Sequence, residues 1–199
     1  MRLSPVALVA LVCAASLSAA HAQTPSASLP RTPVSQAHSG MSFSYDAEHG
    51  QINTSGIQLG ATPEAKTSAP PYTGTVNVTI NIRVASDFKR GTLYHCSASA
   101  VGGELNQDTG LVAGGLETAN GFARWAGPGM ATCVLNIPFA WSLPRGLPAD
   151  TGLVIAFGVR AVSDEFGHKN VQRSTFQVDG VAPLPPNGST SKFVFDVTL

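Results

Sequence analysis

The clearest pattern in the chain runs over residues 75–84. Val76, Val78, Ile80, Ile82 and Val84 take one set of alternate positions, and Thr75, Asn77, Thr79, Asn81 and Arg83 take the other. Side chains on a strand alternate between faces, so this segment predicts a strand with one buried and one wet face. Wound as a helix, the same apolar residues would spread around the axis. Residues 92–101 put Tyr94, Cys96, Ala98 and Ala100 on one side, and residues 131–141 do the same with Cys133, Leu135, Ile137, Phe139 and Trp141. Residues 153–162 are apolar on both faces, as in a strand covered from both sides. Residues 171–178 read as its hairpin partner. The chain closes over 192–199 with Phe193, Phe195, Val197 and Leu199 in alternation. Weaker strands are expected at 42–46 and 52–59. Pro138 has no backbone donor and marks an edge or a bulge.

Seven or eight short strands and no ten-residue apolar stripe of helical period predict an all-β fold, an antiparallel β-sandwich, with a barrel as the alternative. Twenty Gly and fourteen Pro suit strands and turns better than helices. The pattern resembles immunoglobulin-type sandwiches in architecture only. Trp125 lies between Cys96 and Cys133, as a core tryptophan does in that family, but no Tyr stands two residues before Cys133 and the cysteine separation is short.

The strand pattern begins near Met41, so residues 41–199 form the expected single domain. Residues 23–40 (QTPSASLPRTPVSQAHSG) are polar, rich in Ser and Pro and without apolar period, which reads as a flexible leader. Residues 1–22 read as a signal peptide: Arg2, an uncharged apolar run over 6–15, then Ala20-His21-Ala22, with cleavage between Ala22 and Gln23. The apolar run is shorter than the roughly 20 residues of a bilayer span. Arg outnumbers Lys eight to four and the signal is rich in Ala, a bacterial look, so a periplasmic or secreted protein with no membrane span in its mature chain is expected.

Export changes the cysteine count. Cys13 leaves with the signal, and Cys96 and Cys133 remain. Two cysteines in an oxidising compartment predict one disulfide, closing a loop of about 37 residues and stabilising the fold by roughly 3–4 kcal/mol in the chain-entropy view. Neither cysteine has a C-x-x-C companion, which argues against a metal or redox motif.

Charge and motifs narrow the chemistry. Twelve Lys+Arg balance twelve Asp+Glu, so no net field favours nucleic acid. No G-x-S-x-G, H-E-x-x-H, phosphate loop or dinucleotide fingerprint occurs, and no cofactor is expected. Two clusters mix carboxylates with an imidazole, the donors a transition metal takes: Asp46, Glu48 and His49, and Asp164, Glu165 and His168. Ordinary turn chemistry explains both as well. Residues 102–121 read as the longest loop, with the glycines at 102 and 103 serving it. Long loops tend to carry function, which makes Glu104, Asp108 and Glu117 candidates for binding or for a carboxylate pair. A wandering connection with a small strand at 110–113 is the duller alternative. Trp125 is either a core residue or a platform for a sugar ring or another surface. Arg160, inside an apolar strand, is expected either at an edge or in an ion pair with Asp164 or Asp196.

Two functions compete. The first is an exported, non-catalytic β-sandwich that acts as a binding, adhesion or assembly module for a protein or glycan partner, with self-association through a sheet edge as one route. The second is a secreted or periplasmic hydrolase of polysaccharide or cell-wall material using the acids of residues 102–121.

Overall fold

A computed structural model describes residues 42–56, 58–59, 71–88, 91–106, 110–143, 151–165 and 168–199. The signal peptide and the leader expected over 1–40 lie outside these residues. Among the described residues the chain forms twelve strands and no helix. They are β1 (Ser42–Asp46), β2 (Gln51–Ser55), β3 (Gln58–Leu59), β4 (Tyr72–Arg83), β5 (Leu93–Asn106), β6 (Gly110–Phe122), β7 (Arg124–Gly127), β8 (Met130–Trp141), β9 (Thr151–Glu165), β10 (His168–Val178), β11 (Ala182–Pro183) and β12 (Ser189–Thr198).

The strands make a larger sheet in the order β10-β9-β5-β6-β3, with β11 against the start of β9, and a smaller sheet in the order β12-β4-β8-β7. Neither order closes on itself, so the barrel alternative is not what forms. Most pairings are antiparallel, but β12 runs parallel to β4 and β3 parallel to β6. A strand that returns from the far end of the chain is free of hairpin geometry, and so can join in either direction.

The alternation read from the chain becomes the core. On the smaller sheet, Phe193, Val78 and Leu135 form one row across β12, β4 and β8, and Phe195, Ile80 and Cys133 form the next. On the larger sheet, Tyr94, Cys96, Ala98 and Ala100 of β5 stand opposite Ala161, Val159, Phe157 and Ile155 of β9. All of these are buried in one cluster shared by the two sheets. The rings of Phe157 and Phe195, one from each sheet, stack with centroids 4.2 Å apart. Pro138 sits beyond the end of β7, where β8 is hydrogen-bonded on one side only.

The segment read as a long loop is instead the β5–β6 hairpin, paired from His95↔Phe122 to Asn106↔Gly110 with a bulge after Gly102. Its glycines do not serve a loop. Gly102 and Gly115 are direct cross-strand partners, and a Cβ on either would fall inside the buried indole of Trp141 from the opposite sheet. Leu143 fills the same kind of space over Gly114. The hairpin therefore supplies backbone and small residues, and the smaller sheet supplies the bulk.

A third layer covers the outer face of the larger sheet. The β1–β2 hairpin places Tyr45 over Gly158 and parallel to Phe176, with ring centroids 5.8 Å apart. Phe43 packs with Leu116, Val178 and Val181 against the buried Val101 and Val154, a second small core. This cover is why β9 is apolar on both faces.

A candidate binding cleft at one end of the sandwich

The turn after β4, the start of β5 and the β7–β8 turn meet at one end of the molecule. Their backbones are tied together: Val84 N donates to Gly129 O at 2.9 Å, Ala123 N to Tyr94 O at 2.9 Å, and Ala85 N to the terminal Leu199 O at 3.2 Å. Gly129 takes φ +67° in the β7–β8 turn, the left-handed region that favours glycine. Between these segments lies an open cleft of about 580 Å³ whose lining includes Phe88, Thr92, Leu93, Tyr94 and Trp125.

Aromatic rings organise it. Tyr94 packs edge-on against Phe88 on one side and Trp125 on the other, with centroids 5.6 and 6.0 Å away and near-perpendicular planes. Such edge-to-face contacts fix ring orientation. Tyr94 is buried, and its burial raises the phenol above the ordinary range. Trp125 is 65 % exposed. Its position follows from the register: it pairs with Ala131 on the inward side of β7, but β7 is the last strand of its sheet, so the indole emerges at the rim. Trp141 is the core tryptophan. Arg173, opposite Ala161 on β10, stands over the Phe88 ring at 5.1 Å and pairs with Asp87. Leu93 and Phe122, also exposed, extend the apolar surface of this end.

The other predicted residues fall elsewhere. Glu117 is exposed on β6 opposite Ala100, in a regular strand and not in a loop. Glu104 lies on the backbone of β5 across from Thr151, with its side chain outside the described residues, and Asp108 is outside them altogether. No carboxylate pair is assembled from these three among the described side chains.

Asp46, Glu48 and His49 form a tight turn. Asp46 Oδ1 accepts from Glu48 N at 2.9 Å and His49 N at 3.1 Å, and Oδ2 contacts His49 Nδ1 at 2.6 Å. These bonds from the His49 backbone and ring hold the Asp46 carboxyl below its ordinary range. Asp164, Glu165 and His168 lie on the β9–β10 hairpin, where Glu165 faces His168, and their side chains are outside the described residues. Among the described residues no three metal-ligating side chains gather.

Arg160 explains the turn's position. Its Nη1 donates to Ala47 O at 3.0 Å and to Glu48 O, so the cation within the apolar strand binds carbonyls of the covering hairpin. Asp196, one acid expected to pair with it, accepts from Asn81 Nδ2 instead. Gly50 packs against the same guanidinium at φ +69°, and its carbonyl accepts from Ser97 Oγ at 2.5 Å.

Cys96 and Cys133 are buried on facing sheets with their sulfur atoms in contact. The Cys133 thiol beside it, and burial, push the Cys96 thiol far above the usual range. A reduced Cys96 therefore stays protonated at neutral pH and is a poor nucleophile.

No family model, curated protein or solved structure matches the chain.

Proposed function

We propose that this chain is an exported, non-catalytic β-sandwich that works as a binding or adhesion module in the periplasm or at the cell surface, and that the Trp125 cleft is its contact site. The supporting observation is the cleft itself: a hydrogen-bonded end of the sandwich that leaves Trp125 65 % exposed. A large exposed aromatic costs solvation energy without stabilising the core, and clustered exposed apolar groups mark interaction sites. Export by a signal peptide cleaved after Ala22 and an immunoglobulin-like architecture belong to this proposal. So does closure of Cys96 to Cys133, which an oxidising compartment favours for two buried thiols already side by side. The free edge of β12 is a second route for self-association through an added strand.

The hydrolase alternative drew on export and on the length of the 102–121 segment, most of which is paired strand; the exposed Trp125 favours the binding module.

The test is site-specific photo-crosslinking of the mature protein in its native compartment. A crosslinker at Leu93, on the cleft wall, is expected to give a discrete adduct, and one at Asn77, on the far sheet's outer face, is expected to give none. Equal labelling from both positions, or none from Leu93, would refute the assignment.

A further inference from the structure

We infer that the outer edge of β12 pairs antiparallel with the same strand of a second copy of this chain, about a two-fold axis beside Val194. This rests on the edge route named above, to which it gives a partner and a register, and it is independent of the Trp125 cleft. Among the described residues β12 is the last strand of the smaller sheet and is paired with β4 alone. Just past its end, Leu199 bonds twice to the β4 side: its N–H donates to Arg83 O at 3.0 Å, and its C=O accepts from Ala85 N at 3.2 Å. Alternate residues of a parallel strand bond to the same neighbour, so the odd-numbered residues of β12 serve β4. The N–H and C=O groups of Thr190, Lys192, Val194, Asp196 and Thr198 therefore point to the open edge. The side chains of these same residues are exposed on the outer face of the sheet, Val194 by 54 %.

One register makes this edge self-complementary. With Val194 opposite its own copy, Lys192 stands opposite Asp196 of the second copy on both sides of the axis, and Thr190 stands opposite Thr198. Every outward N–H and C=O between them then finds a partner. Centring the axis on Lys192 or Asp196 would oppose like charges, which destabilises a cross-strand pair. Centring it on Phe193 or Phe195 would set each charge opposite an uncharged residue. The charges are available: no ion pair holds Lys192 among the described residues, and Asp196 accepts from Asn81 Nδ2 through Oδ1, leaving Oδ2 for an ammonium. A lysine on an exposed edge ordinarily opposes pairing. Here Asp196, on the same face, answers it across the axis. A two-fold pairing consumes the edge of both copies and stops at a dimer.

The contact is one strand edge, small beside the roughly 1,200–2,000 Å² of a stable complex, so the expected dimer is weak, half formed on the order of 100 µM. Sedimentation equilibrium of the mature protein measures it. Lys192→Asp or Asp196→Lys alone should weaken it about tenfold with an unchanged circular dichroism spectrum, and the two exchanges in one chain should restore it. Mixing the two single variants should give a heterodimer. Sulfur reads the register. Val194→Cys should form an intermolecular disulfide on oxidation, because hydrogen-bonded residues directly opposite each other have Cα atoms about 5.5 Å apart. Cys96 and Cys133 are buried and do not compete. Lys192→Cys and Asp196→Cys should bridge poorly alone and bridge each other when mixed. Protein that stays monomeric at about 1 mM, a dimer indifferent to charge reversal, or a Val194→Cys variant that bridges no better than Lys192→Cys overturns the inference. A monomer that still crosslinks through Leu93 loses the pairing and keeps the cleft; a charge-dependent dimer with a silent Leu93 keeps the pairing and loses the cleft.

Discussion

Trp141 and the glycines beneath it show how far single positions reach in this fold. The indole occupies space that Cβ atoms at Gly102 and Gly115 would need. Interiors packed to crystal-like density resist added volume, and overpacking costs about 1–3 kcal/mol per site. Gly115→Ala is therefore expected to lower stability by about that much in urea titration, and Trp141→Phe should recover part of the loss in the double variant. At the Asp46 turn, the effect is electrostatic. The folded carboxyl titrates below its unfolded value, so its contribution is complete above the unfolded pKa and is lost as pH falls through the folded one. The β1–β2 hairpin should loosen below about pH 4 while the main sheets persist, and Asp46→Asn should abolish that acid step. Amide exchange of β1 and β2 against pH reads both.

Among the elements, β12 carries the sharpest expectation. Phe193, Phe195, Val197 and Leu199 are buried, and ten residues of β12 pair with β4. A strand so placed completes its own sheet. Removing residues 193–199 should unfold the monomer, and Phe193→Ala alone should cost about 3–5 kcal/mol by thermal or urea denaturation. A truncated chain that stays folded and only fails to self-associate would show that the strand serves assembly. The elements also differ in how visible they are in the chain. β4, β8 and β12 read directly, because large β-branched and aromatic residues alternate with polar ones on strands that have one wet face. β6 does not. Gly115 and Gly121 are the positions that meet Trp141 and Leu135, and Glu117 between them is exposed, so the period-two apolar signal is missing. Glu117 accordingly reads as a loop residue in the sequence. Arg160 shows the same limit: a cation in an apolar strand suggests an edge or an acid partner, and among the described residues its Nη1 donates to backbone carbonyls of a distant turn.

For the molecule as a whole, the two sheets are linked by packing, and the proposed Cys96–Cys133 bridge would add a covalent link. Cys96 and Cys133 sit on opposite layers. A bridge between them would cross the core and restrict the unfolded chain. Intact mass of oxidised material should show two hydrogens fewer than the dithiol, with Gln23 as the first residue. Cys96→Ala with Cys133→Ala should then lower stability by about 3–4 kcal/mol, a loss that reductant reproduces in the native chain and not in the double variant. Two free thiols in air-oxidised protein would remove the bridge from the account.

The chain by itself determined the β class, most of the strands and which faces are buried, because alternation is local and burial of apolar side chains is its only economical outcome. It also singled out Trp125 while leaving core and surface open. Tertiary structure decided that question, since exposure depends on β7 being the last strand of its sheet. It likewise decided which glycines face Trp141, where Arg160 finds its acceptors and which layer holds each cysteine. Each of these depends on contacts between residues far apart in sequence, and no local pattern encodes the partner.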